Sequence, residues 1–287
     1  MTLVAKGSLL IMDVLREVQE KVDHTRARIA EAARRAGRAP DEITLVGVSK
    51  YATPNDGMVE AMLAAGLRDL AENRPQRFLE KAEYWGGAPD GRFEPRAPLA
   101  PDSPLRDKTD LELRWHFIGS LQRNKVRKIL PYVALIHSVD SWKLLEAIDR
   151  ILEEENELAK RSASGNDSNV RFPESVPVLL EVHISEDGTK QGFAPGDVFE
   201  ILPRALALKR VEIRGLMGMA GLTANEVETR RQFASLRRTL EECRRRFPNA
   251  TELKELSMGM SGDFEIAVEE GATIVRIGSS LYPEELV

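Results

Sequence analysis

One cysteine, Cys243, occurs in 287 residues. That excludes an internal disulfide framework and a cysteine-rich zinc site. Cys243 lies in the arginine-rich segment RTLEECRRRF, where a structural thiol is expected rather than a nucleophile. No apolar run approaches the length of a membrane span, so no membrane partner is expected. The opening residues, MTLVAKGSLLIMDVLREV, soon become charged and carry no convincing cleavage site, so the cytoplasm is the expected location. Strong charge of one sign is also missing. A net charge of −5 argues against a nucleic-acid surface. The basic stretch RNKVRK (123–128) therefore reads as a solvated helix face, with Asn124 near a rim.

What is present is an alternation of apolar runs and amphipathic stretches. Helical spacing covers Leu10 to Ala36 and stops at Gly37. Strands are then expected at 43–49, 67–73, 114–119, 133–139, 176–184, 211–219, 252–259 and 272–278, with helical patterns between them. Eight such units predict a (β/α)8 TIM barrel with an extra N-terminal helix, one domain spanning 1–287. An open doubly wound sheet is the competing architecture, but its GxGxxG turn is missing after the first strand. Two polar stretches, 86–110 and 162–175, break the pattern and read as surface insertions.

A barrel places its chemistry where the strands end. Those ends carry Lys50; Glu72 and Asn73; His116, Gly119 and Ser120; His137 and Ser138; His183; Met217 and Met219; Ser257, Met258 and Gly259, with Ser261 beyond; and Arg276, Gly278 and Ser279. A lysine partly desolvated by barrel walls favours its neutral, nucleophilic form and can condense with an aldehyde. LSMGMSGDFEIA and RIGSS offer small residues and backbone N–H groups that can cradle a phosphate, on the two strands where barrels often build that site. Arg276 interrupts an apolar strand, and arginine is almost never buried without a partner. It serves an ion pair or the ring nitrogen of a pyridoxal cofactor. His137 and His183 form no metal triad, so no metal is expected.

LVGVSKYATP, AENRPQ, RWHFIGSLQRNKVRKIL, ALIHSVDS, VPVLLEVHIS, KQGFAP, IRGLMGMA and LSMGMSGDFEIAVEEGATIVRIGSSLY together resemble the pyridoxal 5′-phosphate homeostasis family. Its members look like the N-terminal barrel of alanine racemase standing alone. The resemblance runs from about Ile43 to Tyr282. It implies that Lys50 carries pyridoxal 5′-phosphate (PLP) as a Schiff base. It assigns Ser257, Met258, Gly259, Gly278 and Ser279 to the phosphate loops, Arg276 to the ring nitrogen, and Asn73 and His116 to the pocket lining. The implied function is intracellular vitamin B6 homeostasis, as a carrier or regulator without robust catalysis, with PLP-dependent apoenzymes as recipients. Ser120, Arg74, the MGMAG stretch and the proline of RIGSSLYPEELV depart from the family pattern, and Ser120 and MGMAG touch the pocket rim.

The alternative is a PLP-dependent amino-acid racemase, which needs an acid/base group on each face of the substrate. Neither Tyr51 nor Tyr282 resembles the racemase's opposing tyrosine, and no β domain is expected after the eighth unit. A monomer is expected. A barrel aldolase using Lys50 on a phosphosugar is the third reading; it predicts no bound chromophore.

Overall fold

The computed structural model describes residues 3–53, 56–86, 103, 105–106, 111–161, 171–185 and 191–286. Most of the two expected insertions (86–110 and 162–175) lies outside the described residues.

Eight parallel strands close into a barrel in chain order. They are β1 (Thr44–Val48), β2 (Asp69–Glu72), β3 (Arg114–Phe117), β4 (Val133–Val139), β5 (Val176–Glu181), β6 (Val211–Met217), β7 (Glu255–Ser257) and β8 (Ile274–Ile277). β8 pairs with β1, Arg276 opposite Val46, which completes the ring. Parallel strands covered on both faces must be apolar nearly throughout, and runs such as VALIHSV and VPVLLE are buried almost end to end.

Helices pack outside: α1 (Leu3–Arg35), α2 (Met58–Ala64), α3 (Pro75–Trp85), α4 (Arg123–Ile129), α5 (Trp142–Arg161), α6 (Val198–Ala205), α7 (Glu226–Arg246) and α8 (Phe264–Glu269). Local chemistry sets their limits. α3 starts with Pro75, whose missing N–H costs nothing in a first turn. At α7, Asn225 accepts from Glu228 N while the Glu228 carboxylate accepts from Asn225 N. That helix ends on Arg244, Arg245 and Arg246, which oppose the dipole's negative end. α1 starts earlier than its apolar spacing indicated, at Leu3 rather than Leu10. It is joined to α8 by Arg28–Glu265 and Arg35–Glu269 ion pairs, both 2.7 Å.

Two apolar cores result. The large one fills the space between strands and helices. The small one, Val46, Val48, Ala71, Leu135, Leu179, Met217 and Ile274, lies inside the barrel. Side chains alternate along a strand. The same inward positions therefore continue to Lys50 above Val48, to Asn73 above Ala71, and to Gly278 above Arg276.

Candidate functional site at the barrel mouth

Lys50 stands two residues past Val48, the last residue of β1, and it is exposed. Desolvation of this lysine by the barrel walls is thus not what the structure shows. Its ammonium lies 4.7 Å from the Tyr51 ring centre. A methyl group built on Gly278 would lie 3.8 Å from Lys50 Cε, so the lysine stem passes over the turn that follows β8.

A buried ion pair fixes the strand ends beneath it. Lys81 sits on the apolar face of α3, with Phe78, Ala82 and Trp85. Its ammonium donates to Glu72 Oε2 and to Ser49 O, both at 2.5 Å. Glu72 Oε1 in turn accepts from the N–H groups of Asn73 and Arg74. The backbone at positions 49 and 73 is thereby tied to one ion pair, directly before Lys50 and at Asn73. Asn73 is exposed. Gly119 crosses its backbone so closely that a Cβ there would sit 1.8 Å from Asn73 O.

Across the mouth, Gly259 has φ +92°, and a Cβ on it would come within 2.6 Å of Ala267 Cβ. Only glycine makes this turn without displacing α8. Ser261 Oγ accepts from the N–H groups of Gly278 and Ser280, binding the loop after β7 to the loop after β8. Ser279 is exposed beside them. Met258 contributes differently: its side chain is in the outer core and its N–H is taken by Ile274 O.

Arg276 is 3% exposed. It donates through Nη1 to Ser257 Oγ at 2.6 Å and through Nη2 to Gly218 O at 3.3 Å. Burial lowers its pKa to about 10, against the pull of Asp263 and Glu181, and it stays a cation at neutral pH. Among the described residues, those bonds use two of its five N–H donors. Ser257 is fully buried, so its hydroxyl belongs to the floor under Arg276. His116 is also below the mouth, bonded to Asp69 and His137. Glu181, which sequence reasoning passed over, closes β5 at 3% exposure. Burial, and secondarily Asp140, pushes its pKa up to about 7. Its mark in the sequence is a carboxylate at the end of the apolar run VPVLLE.

The tyrosines have settled positions. Tyr282 is buried, its hydroxyl donating to Val48 O at 3.2 Å, and burial raises its pKa further. Tyr51 packs edge-on against it. Cys243 is buried and its thiol pKa is pushed up to about 11 by that burial. Among the described residues no helix is long and apolar enough to cross a membrane.

The model of the alanine racemase N-terminal domain matches residues 21–285. The pyridoxal phosphate homeostasis protein of Aquifex aeolicus is 35% identical over 265 residues, 92% of this chain and 97% of that protein. PipY of Synechococcus elongatus, solved with PLP bound, is 32% identical, with a TM-score of 0.66 over 93% of this chain and 100% of that one. An alanine racemase of Clostridium difficile shares the fold at 15% identity and a TM-score of 0.58, covering 95% of this chain and 57% of that one. With a closed barrel of eight parallel strands and a family match over nearly its whole length, this chain belongs to the alanine racemase N-terminal domain family.

Proposed function

We propose that this protein binds PLP at the barrel mouth, covalently through Lys50, and serves vitamin B6 homeostasis in the cytoplasm as a carrier or regulator. The observation that carries the reading is the convergence of three unlike groups on one small opening. Lys50 passes over Gly278. The loops after β7 and β8 are joined through Ser261. The cation of Arg276 lies one inward position below Gly278.

These residues suit the parts of PLP. Gly259, Gly278 and Ser279, with the Ser261 hydroxyl that ties their loops together, form a turn of small residues and hydroxyls suited to a phosphate. Arg276 offers unspent N–H donors to an acceptor such as a ring nitrogen. Asn73 lines the rim beside Lys50. Ser257 and His116 shape the site from beneath, and Met258 holds the end of β7 through its backbone bond to Ile274 O. Bound there, PLP supplies an aldehyde and an electron-accepting ring.

An always-charged arginine donates to the ring nitrogen without giving up its proton, which weakens the ring as an electron sink. This favours carriage over racemisation. So does Tyr282, whose buried hydroxyl is committed to Val48 O. The protein as purified, or after incubation with PLP, is expected to absorb in the visible range, and Lys50→Ala to abolish that absorbance. A colourless protein that stays colourless with PLP refutes the reading. Chiral analysis after incubation with L-alanine is expected to find no D-alanine above background.

A further inference from the structure

A column of polar side chains runs down the inside of the barrel from Arg276. Arg276 Nη1 lies 2.6 Å from Ser257 Oγ. Ser257 Oγ lies 2.7 Å from His137 Nδ1. His137 Nε2 lies 2.8 Å from His116 Nδ1. His116 Nε2 lies 3.0 Å from Asp69 Oδ1. Arg114 closes the lower end, donating Nε and Nη2 to the two Asp69 oxygens at 2.7 Å each. Every member above Arg114 is buried. Asp69 and Arg114 also line a cavity of about 500 Å³ on the face opposite the mouth.

The ends of this column fix its middle. Arginine only donates, and an ionised carboxylate only accepts. Burial works against the Asp69 charge, but the bonds from Arg114 and His116 overcome it and hold the carboxyl well below its usual range. With both imidazoles neutral, one arrangement satisfies every contact. Arg276 donates to Ser257, Ser257 to His137 Nδ1, His137 Nε2–H to His116 Nδ1, and His116 Nε2–H to Asp69. All four bonds point the same way.

We infer that Asp69, His116 and His137 are positioning residues whose one-way hydrogen-bond relay sets the polarity of the floor beneath Arg276, and that one proton entering the relay reverses its two middle bonds, Ser257–His137 and His137–His116. The proton arrives on Ser257 Oγ as that hydroxyl's own hydrogen passes to His137 Nδ1. The hydrogen on His137 Nε2 moves to His116 Nδ1. One proton enters, none leaves, and the added charge rests beside the Asp69 carboxylate. It does not stay on His137, where burial first, then His116 and Arg276, hold the imidazole pKa well below its ordinary value. Afterwards Ser257 accepts from both neighbours, and its own O–H is free to donate toward the mouth. The charged and titratable groups facing the relay are Asp69 on β2, Arg114 and His116 on β3, His137 on β4, Glu181 on β5, Arg276 on β8, and Asp263 before α8.

The effect on a bound cofactor rests on the PLP reading; the tautomers do not. Long-range 1H–15N spectra of the ligand-free protein at pH 7 are therefore the first test. Two of the four histidines, His116 and His137, are expected as neutral Nε2–H forms. An Nδ1–H form or a charged ring at either one overturns the relay, whatever binds above. The second test is the PLP-loaded Asp69→Asn protein. Loss of the negative charge disfavours the protonated form of the chromophore, so the pH midpoint of its absorbance change is expected to fall by at least about 0.5 pH unit, a threefold change in the equilibrium. An unmoved midpoint overturns the inference while leaving PLP binding intact. If Asp69→Asn does not fold or the protein takes up no PLP, the wild-type spectra decide the relay alone.

Discussion

At the scale of the residue, position matters more than type. Glu181 and Asp69 are both buried carboxyls on inward-facing strand positions, yet they shift in opposite directions. Asp69 has Arg114 and His116 in direct contact, whereas among the described residues Glu181 has only Gln191, at 3.4 Å. Glu181 is thereby a source of pH dependence. Its folded pKa, about 7, exceeds the ordinary 4.5. Such an acid costs nothing below about pH 4.5, its penalty grows as pH rises from there to about 7, and above 7 the penalty is full and constant. Glu181→Gln is expected to raise unfolding stability by about 2–3 kcal/mol at pH 8 and to leave it unchanged at pH 4, by urea denaturation at both values. Equal effects at the two pH values would show that the carboxyl is not shifted.

At the scale of the element, the contact between α3 and the ends of β1 and β2 is the decisive one. Lys81 is 1% exposed and Glu72 fully buried. Removing one partner of a buried pair leaves the other charge uncompensated, at a cost of about 3–5 kcal/mol. Lys81→Met is expected to destabilise by that amount, and the double variant with Glu72→Gln by clearly less, a pattern measurable as a coupling in a double-mutant cycle. Because Ser49 and Asn73 hang on the same pair, Lys81→Met should also weaken PLP retention. The turn at Gly119 acts similarly on a smaller scale. Gly119→Ala must displace Asn73, since no Cβ fits 1.8 Å from its carbonyl oxygen. It is expected to lower the thermal midpoint and PLP affinity together, by calorimetry and spectral titration.

At the scale of the whole molecule, the barrel was legible because each strand, covered on both faces, announces itself as an apolar run. All eight appear where those runs stand, with ends moved by a few residues. The seventh contracts most, to Glu255–Ser257, because Met258 and Gly259 already belong to the turn. Lys50, Arg276 and the two loops were legible as polar groups at strand ends. The column beneath them was not. Asp69, His116, His137 and Ser257 are separated by 47, 21 and 120 positions. Only the register of four strands brings them into line. Lys81 was hidden for a related reason: a charge on a helix reads as solvent-facing until the helix's buried face is known.

The central claim is a covalent bond between one named amine and the cofactor, and peptide mass mapping after borohydride reduction of the PLP-loaded protein tests it most directly. The account predicts a pyridoxyl-phosphate adduct on the peptide bearing Lys50 and on no other. An adduct confined to a different lysine, or none in a protein that nonetheless absorbs in the visible range, would contradict it.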